Sequence, residues 1–273
     1  MRRKAQVSGT FYPGQREQLL KTIRGMTDAK TERKKALAVI VPHAGYMYSG
    51  PVAGAVFSSV EIPAAAVVLG PGHRDIRSLF AVQNAGSWLT PLGEVPIRED
   101  LAAMILDRCP SARLDEEAHL LEHSLEVEVP FLQYFREDVG IVPVCVSHET
   151  DYGDLESFGQ GLAAAIRAYG RPVLMVASTD MSHYVSQSTA EKKDALAIRK
   201  IQDLDPRGLF ETVLAEGISM CGFQPTTAAL VAARELGAAE AELVLYRTSG
   251  DSSGDFSQVV GYAGLRILPG PSR

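Results

Sequence analysis

The six histidines carry most of the chemistry this chain offers, and four of them stand just after short apolar runs. His43 follows Val39-Ile40-Val41-Pro42, and His73 follows Val68-Leu69-Gly70-Pro71-Gly72. His148 follows Val144-Cys145-Val146-Ser147, and His183 follows Val176-Ala177-Ser178 through Thr179-Asp180-Met181-Ser182. In open α/β sheets ligands bind beyond the carboxyl ends of the strands, so these loops are expected to converge. The competing reading is that loops simply tolerate histidine. Small-residue turns at Pro42-His43-Ala44-Gly45-Tyr46 and Gly70-Pro71-Gly72-His73 would bring backbone and imidazole close to a ligand. Asp180 stands three residues before His183. Glu122-His123-Ser124 opens a stretch in which Leu125, Val129 and Leu132 share one helical face. A polar, glycine-punctuated loop from Thr248 to Asp255 could supply a carboxylate.

Two imidazoles and one carboxylate from separate loops make the facial triad of non-haem Fe(II) oxygenases, with positions left open for substrate and dioxygen. The same ligands could hold Zn(II) and activate a bound water for hydrolysis.

The elements that must position these residues are written in the apolar pattern. Strands are expected at 36–41, 65–69, 140–146, 172–177 and 242–246, where continuous hydrophobicity implies burial on both faces of the sheet. Helices are expected from Gln15 to Met26, at 154–169 with Gly170 as the stop, from Thr189 to Leu204 and from Pro225 to Leu236. Strands alternating with helices predict an α/β fold of three layers, α/β/α, as one domain over residues 1–273.

Composition narrows the function classes. Of 273 residues, 46% are apolar and 22% charged, which describes a globular chain rather than a disordered one. The balance of 27 basic against 33 acidic residues leaves no excess of Lys and Arg for a nucleic-acid surface. The short basic runs Arg2-Arg3-Lys4 and Arg33-Lys34-Lys35 read as solvated faces. No apolar run approaches a bilayer span, and the opening residues lack a signal-peptide core. Three scattered cysteines, Cys109, Cys145 and Cys221, argue against a disulfide framework and for a reducing cytoplasm.

The motifs together resemble the Memo family, in its bacterial and archaeal branch, described as protein B of the AmmeMemoRadiSam set. The resemblance runs from Gly9-Thr10-Phe11-Tyr12-Pro13 through Pro42-His43-Ala44-Gly45-Tyr46, Gly70-Pro71-Gly72-His73, Thr90-Pro91-Leu92-Gly93 and Glu122-His123-Ser124-Leu125-Glu126-Val127. It continues through Ser178-Thr179-Asp180-Met181-Ser182-His183 and Cys221-Gly222 to Thr248-Ser249-Gly250-Asp251. It implies a fold like that of the class III extradiol dioxygenases, with a central mostly parallel or mixed sheet. It also implies a metal site using His43 and His73. In animal members the third ligand is a cysteine, and here the corresponding position is taken as Asp251, with Asp255 four residues on as the alternative. A carboxylate there would favour Fe(II) over Cu or Zn.

On this reading His43, His73 and Asp251 hold a divalent metal. His183, oriented by Asp180, is the general base, and His123 faces a bound oxygen species or the substrate. His148 is expected on the surface and His119 in a solvated turn. Cys221 is read as a buried inert thiol, and Trp88 with Thr90-Pro91-Leu92-Gly93 as a loop over the sheet. The activity expected is a non-haem iron oxidoreductase of unknown substrate. The alternatives are a metal-dependent hydrolase or a non-catalytic module that recognises a peptide or protein partner. The set name implies a functional link to a radical-SAM protein and an AMMECR1-like protein.

Overall fold

The computed structural model describes residues 1–74 and 76–270. In chain order, β1 (Arg2–Arg3), α1 (Arg16–Met26), β2 (Ala38–Val41), α2 (Tyr46–Ser58) and β3 (Ala65–Pro71) come first. They are followed by β4 (Phe80–Val82), β5 (Ser87–Thr90), β6 (Gly93–Pro96), α3 (Glu99–Arg108) and β7 (Ala112–Leu114). Next are α4 (Val129–Phe135), β8 (Gly140–Val146), α5 (Tyr152–Tyr169), β9 (Leu174–Ser178) and β10 (His183–Val185). The chain ends with α6 (Gln187–Gln202), α7 (Pro206–Ala215), α8 (Phe223–Glu235), β11 (Ala238–Thr248), α9 (Gly250–Ser253) and β12 (Val259–Pro269).

The four most apolar runs, β2, β9, β3 and β8, lie side by side in that order and are all parallel. Every residue of these four strands is buried, which is why their hydrophobicity is continuous rather than alternating. Antiparallel pairings add β4 beside β8 and β12 beside β2, and β7 (parallel to β4) with β10 and β11 (both antiparallel to β12) completes a nine-stranded mixed sheet. A separate three-stranded sheet joins β1, β5 and β6.

Alternate residues of the parallel strands serve two cores. Ile40, Val67, Leu69, Val144 and Ala177 face α3, α5, α6, α7 and α8. Val39, Val41, Val68, Ile141 and Val176 face α1, α2 and α4. The result is the three-layer α/β/α arrangement. Helix α5 shows how local sequence sets its ends. Asp151 and Asp154 form a reciprocal capping box at its start, and Gly170 stops it at φ +66°.

Three local expectations are corrected. Strand β11, expected to be buried, is half exposed, because it pairs only with β12 at the flank of the sheet. Trp88 lies not in a covering loop but within β5, 1% exposed, where its indole N–H donates to Gln83 Oε1 at 2.8 Å. Arg3 is not solvated but 1% exposed, with its guanidinium 4.2 Å from the centre of the Trp88 ring. Among the described residues, no helix is long and apolar enough to cross a membrane.

Candidate metal centre

Because β2, β9, β3 and β8 run the same way, the residues that follow their last positions emerge along one edge of the sheet. That edge receives His43 after β2, His73 after β3 and Asp180 after β9. The ring centroids of His43 and His73 are 5.3 Å apart, with the planes nearly perpendicular. The third ring is His123, from the segment between β7 and α4. It lies 5.6 Å from His43 and 4.6 Å from His73. One ring nitrogen from each of the three lies within 4.8 Å of the others, a spacing at which three imidazoles could hold one ion.

Each ring is fixed by what its other atoms touch. His43 is buried, and its Nδ1 is 2.8 Å from Ser178 Oγ, while its backbone N–H donates to Asp180 Oδ1. His73 Nδ1 lies 2.9 Å from Glu122 Oε1, and its backbone N–H donates to Glu122 Oε2. With Nδ1–H given to Glu122, the lone pair of His73 sits on Nε2, the usual tautomer of a metal-binding imidazole backed by a carboxylate. Glu122 also accepts the Ser124 N–H, and His123 Nδ1 is 3.4 Å from it. Phe11 packs edge-on against His123 at 5.0 Å, so the N-terminal segment forms one wall.

Burial favours the neutral form of two of the rings, His43 and His123. Burial, followed by the neighbouring His73 and His123, pushes the His43 pKa well below the ordinary histidine range. Burial lowers His123 as well, with Glu122 opposing. Burial alone would raise Glu122. Its hydrogen bond to His73 and the charge there, with the Ser124 N–H, outweigh that and hold it well below the usual carboxylate range. Two buried imidazoles, His43 and His123, with lowered pKa values beside an ionised carboxylate suit a dication. Replacing Glu122 by Gln should lower metal affinity by about 10–100-fold, the usual cost of losing such a backing group. An isothermal titration of the variant against the native protein checks this.

Cys221 is the residue that sequence reasoning undervalued. Its Sγ is 3.3 Å from His43 Nε2, and burial pushes the thiol pKa up, beyond the ordinary range. Gly222 makes this approach possible, since a Cβ there would stand 2.4 Å from the Ser178 carbonyl oxygen. Only glycine lets the start of α8 sit against the end of β9, and Cys221 is carried in with it. A Cys-Gly pair just before a helix was the signal available in the sequence.

Asp251 is not part of the imidazole cluster. Its Oδ2 accepts the N–H of Thr248, three residues back, at 2.7 Å, in the exposed turn that opens α9. Asp255 is likewise turned on its own loop, accepting from Ser257. Asp180 does not orient His183. It holds the His43 backbone, while Ser219 takes both the His183 N–H and its ring Nδ1, each within 2.8 Å. His183 is near enough for its charge to bear on His43 and Asp180. His148 is exposed, as expected. His119 is fully buried rather than in a solvated turn, its ring between the Ala81 carbonyl and Cys145 Sγ, and burial pushes its pKa down to about 4.

Residues 3–266 match the family model described as Memo-like protein, and the chain belongs to that family. A MEMO1 family protein of Pyrobaculum arsenaticum is 40% identical over 275 residues, spanning 96% of this chain and 98% of the relative. Another, of Aquifex aeolicus, is 40% identical over 268 residues, spanning 97% and 99%. Among solved structures, an uncharacterized protein, JW3007, from Escherichia coli K12 is similar with a TM-score of 0.57. It covers 85% of this chain and 99% of its own at 16% identity, a likeness of fold alone.

Proposed function

We propose that this chain is a metal-dependent enzyme, an oxidoreductase in the finer reading, whose ion is held by His43, His73 and His123. The observation that carries the reading is the meeting of three ring nitrogens, from three separate segments, within 4.8 Å. The donor set fits: neutral imidazoles suit iron, copper and zinc, and the thiol of Cys221 stands beside His43 as a further soft donor. A bound ion supplies Lewis acidity to a coordinated oxygen and, as Fe(II) or Cu, a centre for electron transfer. Fe(II) is the ion proposed, and a site that takes only Zn would favour hydrolysis instead.

The chain's own residues do the rest. His183 gives its Nδ1–H to the Ser219 carbonyl, so Nε2 carries the lone pair and can take a proton from a substrate hydroxyl. The ring is half exposed, which lets that proton pass on to water. Asp180, by gripping the His43 backbone, fixes the turn on which that ligand stands.

The test separates metal binding from proton transfer. In protein purified anaerobically, His183→Ala should leave metal content nearly unchanged. It should lower turnover of, or tight binding to, catechol-like compounds by about 10²–10⁴-fold. Loss of metal in that variant would make His183 a ligand and overturn the division of roles.

A further inference from the structure

Behind His43 lies a carboxyl group that the site chemistry above does not use. Glu128 is 0% exposed, in the single helical turn Glu126–Glu128 that leads into α4. Its Oε1 is 3.1 Å from Ser178 Oγ, and its Oε2 has no hydrogen-bond partner among the described residues. Ser178 Oγ is therefore the meeting point of three groups: Glu128, His43 Nδ1 at 2.8 Å and the Ser124 carbonyl at 2.7 Å.

Counting protons at that oxygen assigns the state of each partner. A serine hydroxyl has one proton and two acceptor lone pairs, and a backbone carbonyl can only accept. The one Ser178 proton goes to the Ser124 carbonyl, the closest contact. Both remaining partners must then donate. His43 donates from Nδ1–H, leaving its lone pair on Nε2, the atom that faces Cys221. Glu128 donates as a carboxylic acid. An ionised Glu128 would set lone pair against lone pair across 3.1 Å.

We propose that Glu128 is a permanently protonated positioning residue, which completes the donor set at Ser178 and so fixes His43 as the Nδ1–H tautomer. The proposal rests on the metal reading for its purpose but not for its test. It gives two of the imidazoles opposite backing: His73 is backed by an ionised carboxylate and His43 by a neutral hydroxyl. Of the two carboxyl groups that back imidazole rings of the centre, only Glu122 is then charged. Burial also pushes Glu128 well above the carboxylate range, outweighing the opposing effect of its contact with Ser178, and the charge of Asp180 adds to the rise. Tyr46 of α2, whose hydroxyl donates to the Val127 carbonyl, is the other titratable group that feels Glu128.

Metal-free protein tests this. The infrared spectrum at pH 8 should contain the C=O band of a protonated carboxylic acid that is absent from Glu128→Gln. Nitrogen NMR of His43 should show Nδ1–H in both proteins, because the glutamine amide keeps a donor on Ser178. Native Glu128 binds a proton that the unfolded chain releases, so it lowers stability as pH rises above the ordinary carboxylate pKa. The Tm of Glu128→Gln should match the native value near pH 4 and exceed it by at least about 2–4 °C at pH 8. Absence of the infrared band, or an Nε2–H tautomer at His43 in native protein, overturns the proposal. Neither readout depends on whether the imidazoles bind a metal. Should Glu128→Gln fail to fold, the tautomer measured in native protein still decides the question.

Discussion

Replacing His43 and His73 together by alanine is expected to reduce bound divalent metal from one ion per chain to background. In the proposed centre the two rings supply two of three ligand nitrogens, and one remaining imidazole in partly open solvent has no chelate geometry to retain an ion. The loss should also be visible in stability. A ligand at a hundred times its dissociation constant stabilises the folded state by about 2.7 kcal/mol. In a chain of this size that raises Tm by roughly 5–11 °C. Native protein should show that rise on titration with Fe(II), and the double variant none. Proton competition should be weak at His43, whose pKa burial holds well below the ordinary histidine range, and reduced at His123, which burial also lowers. An equal Tm rise in both proteins would place the ion elsewhere.

The second large effect is expected far from those rings, at Arg3. Its buried guanidinium donates to Glu126 Oε2 at 2.6 Å, to the His119 carbonyl at 2.6 Å and to the Glu122 carbonyl at 2.7 Å. Glu126 also accepts from the Tyr12 hydroxyl and from the backbone N–H groups of Gln6 and Val7. Arg3→Met removes the cation, strands a buried carboxylate and leaves two carbonyls unpaired. Breaking a buried pair in this way costs about 3–5 kcal/mol, a fall in Tm of roughly 6–20 °C by calorimetry. Arg3→Lys should recover little, since a single ammonium cannot reproduce a planar fork that reaches three acceptors. The double variant Arg3→Met/Glu126→Leu should regain part of the loss, because no charge is then left buried alone. A fall of less than about 2 °C would mean that the N-terminal segment does not buttress the stretch bearing Glu122 and His123.

Much of this scaffold was readable because its physics is local. Strands β3, β8 and β9 and helices α1, α5, α6 and α8 announce themselves through continuous or 3.6-residue apolar patterns, and their expected bounds lie within a few residues of those observed. Helix α2 leaves no such pattern, for the opposite reason. It is buried almost all round and packed with small residues, so it has no polar face to set a period. Its Gly54 comes so close to α1 that a Cβ would stand 2.2 Å from the Met26 carbonyl oxygen. His43 and His73 were legible as residues at strand ends. The third ring carries no such signal, because His123 follows no strand of the central sheet and reaches the cluster through a segment pinned by Arg3. Arg3 itself read as solvated, since nothing local reveals that a basic N-terminus folds beneath Trp88. Asp251 attracted a ligand role through its position in the chain, yet its carboxylate is already committed to its own turn.

The choice of the third ligand tests the account most directly. Anaerobically Fe(II)-loaded His123→Ala and Asp251→Ala should be compared for metal content after desalting, alongside the native protein. The geometry predicts one ion per chain in native protein and in Asp251→Ala, and loss of the ion in His123→Ala. Retention in His123→Ala together with loss in Asp251→Ala would contradict the three-imidazole centre.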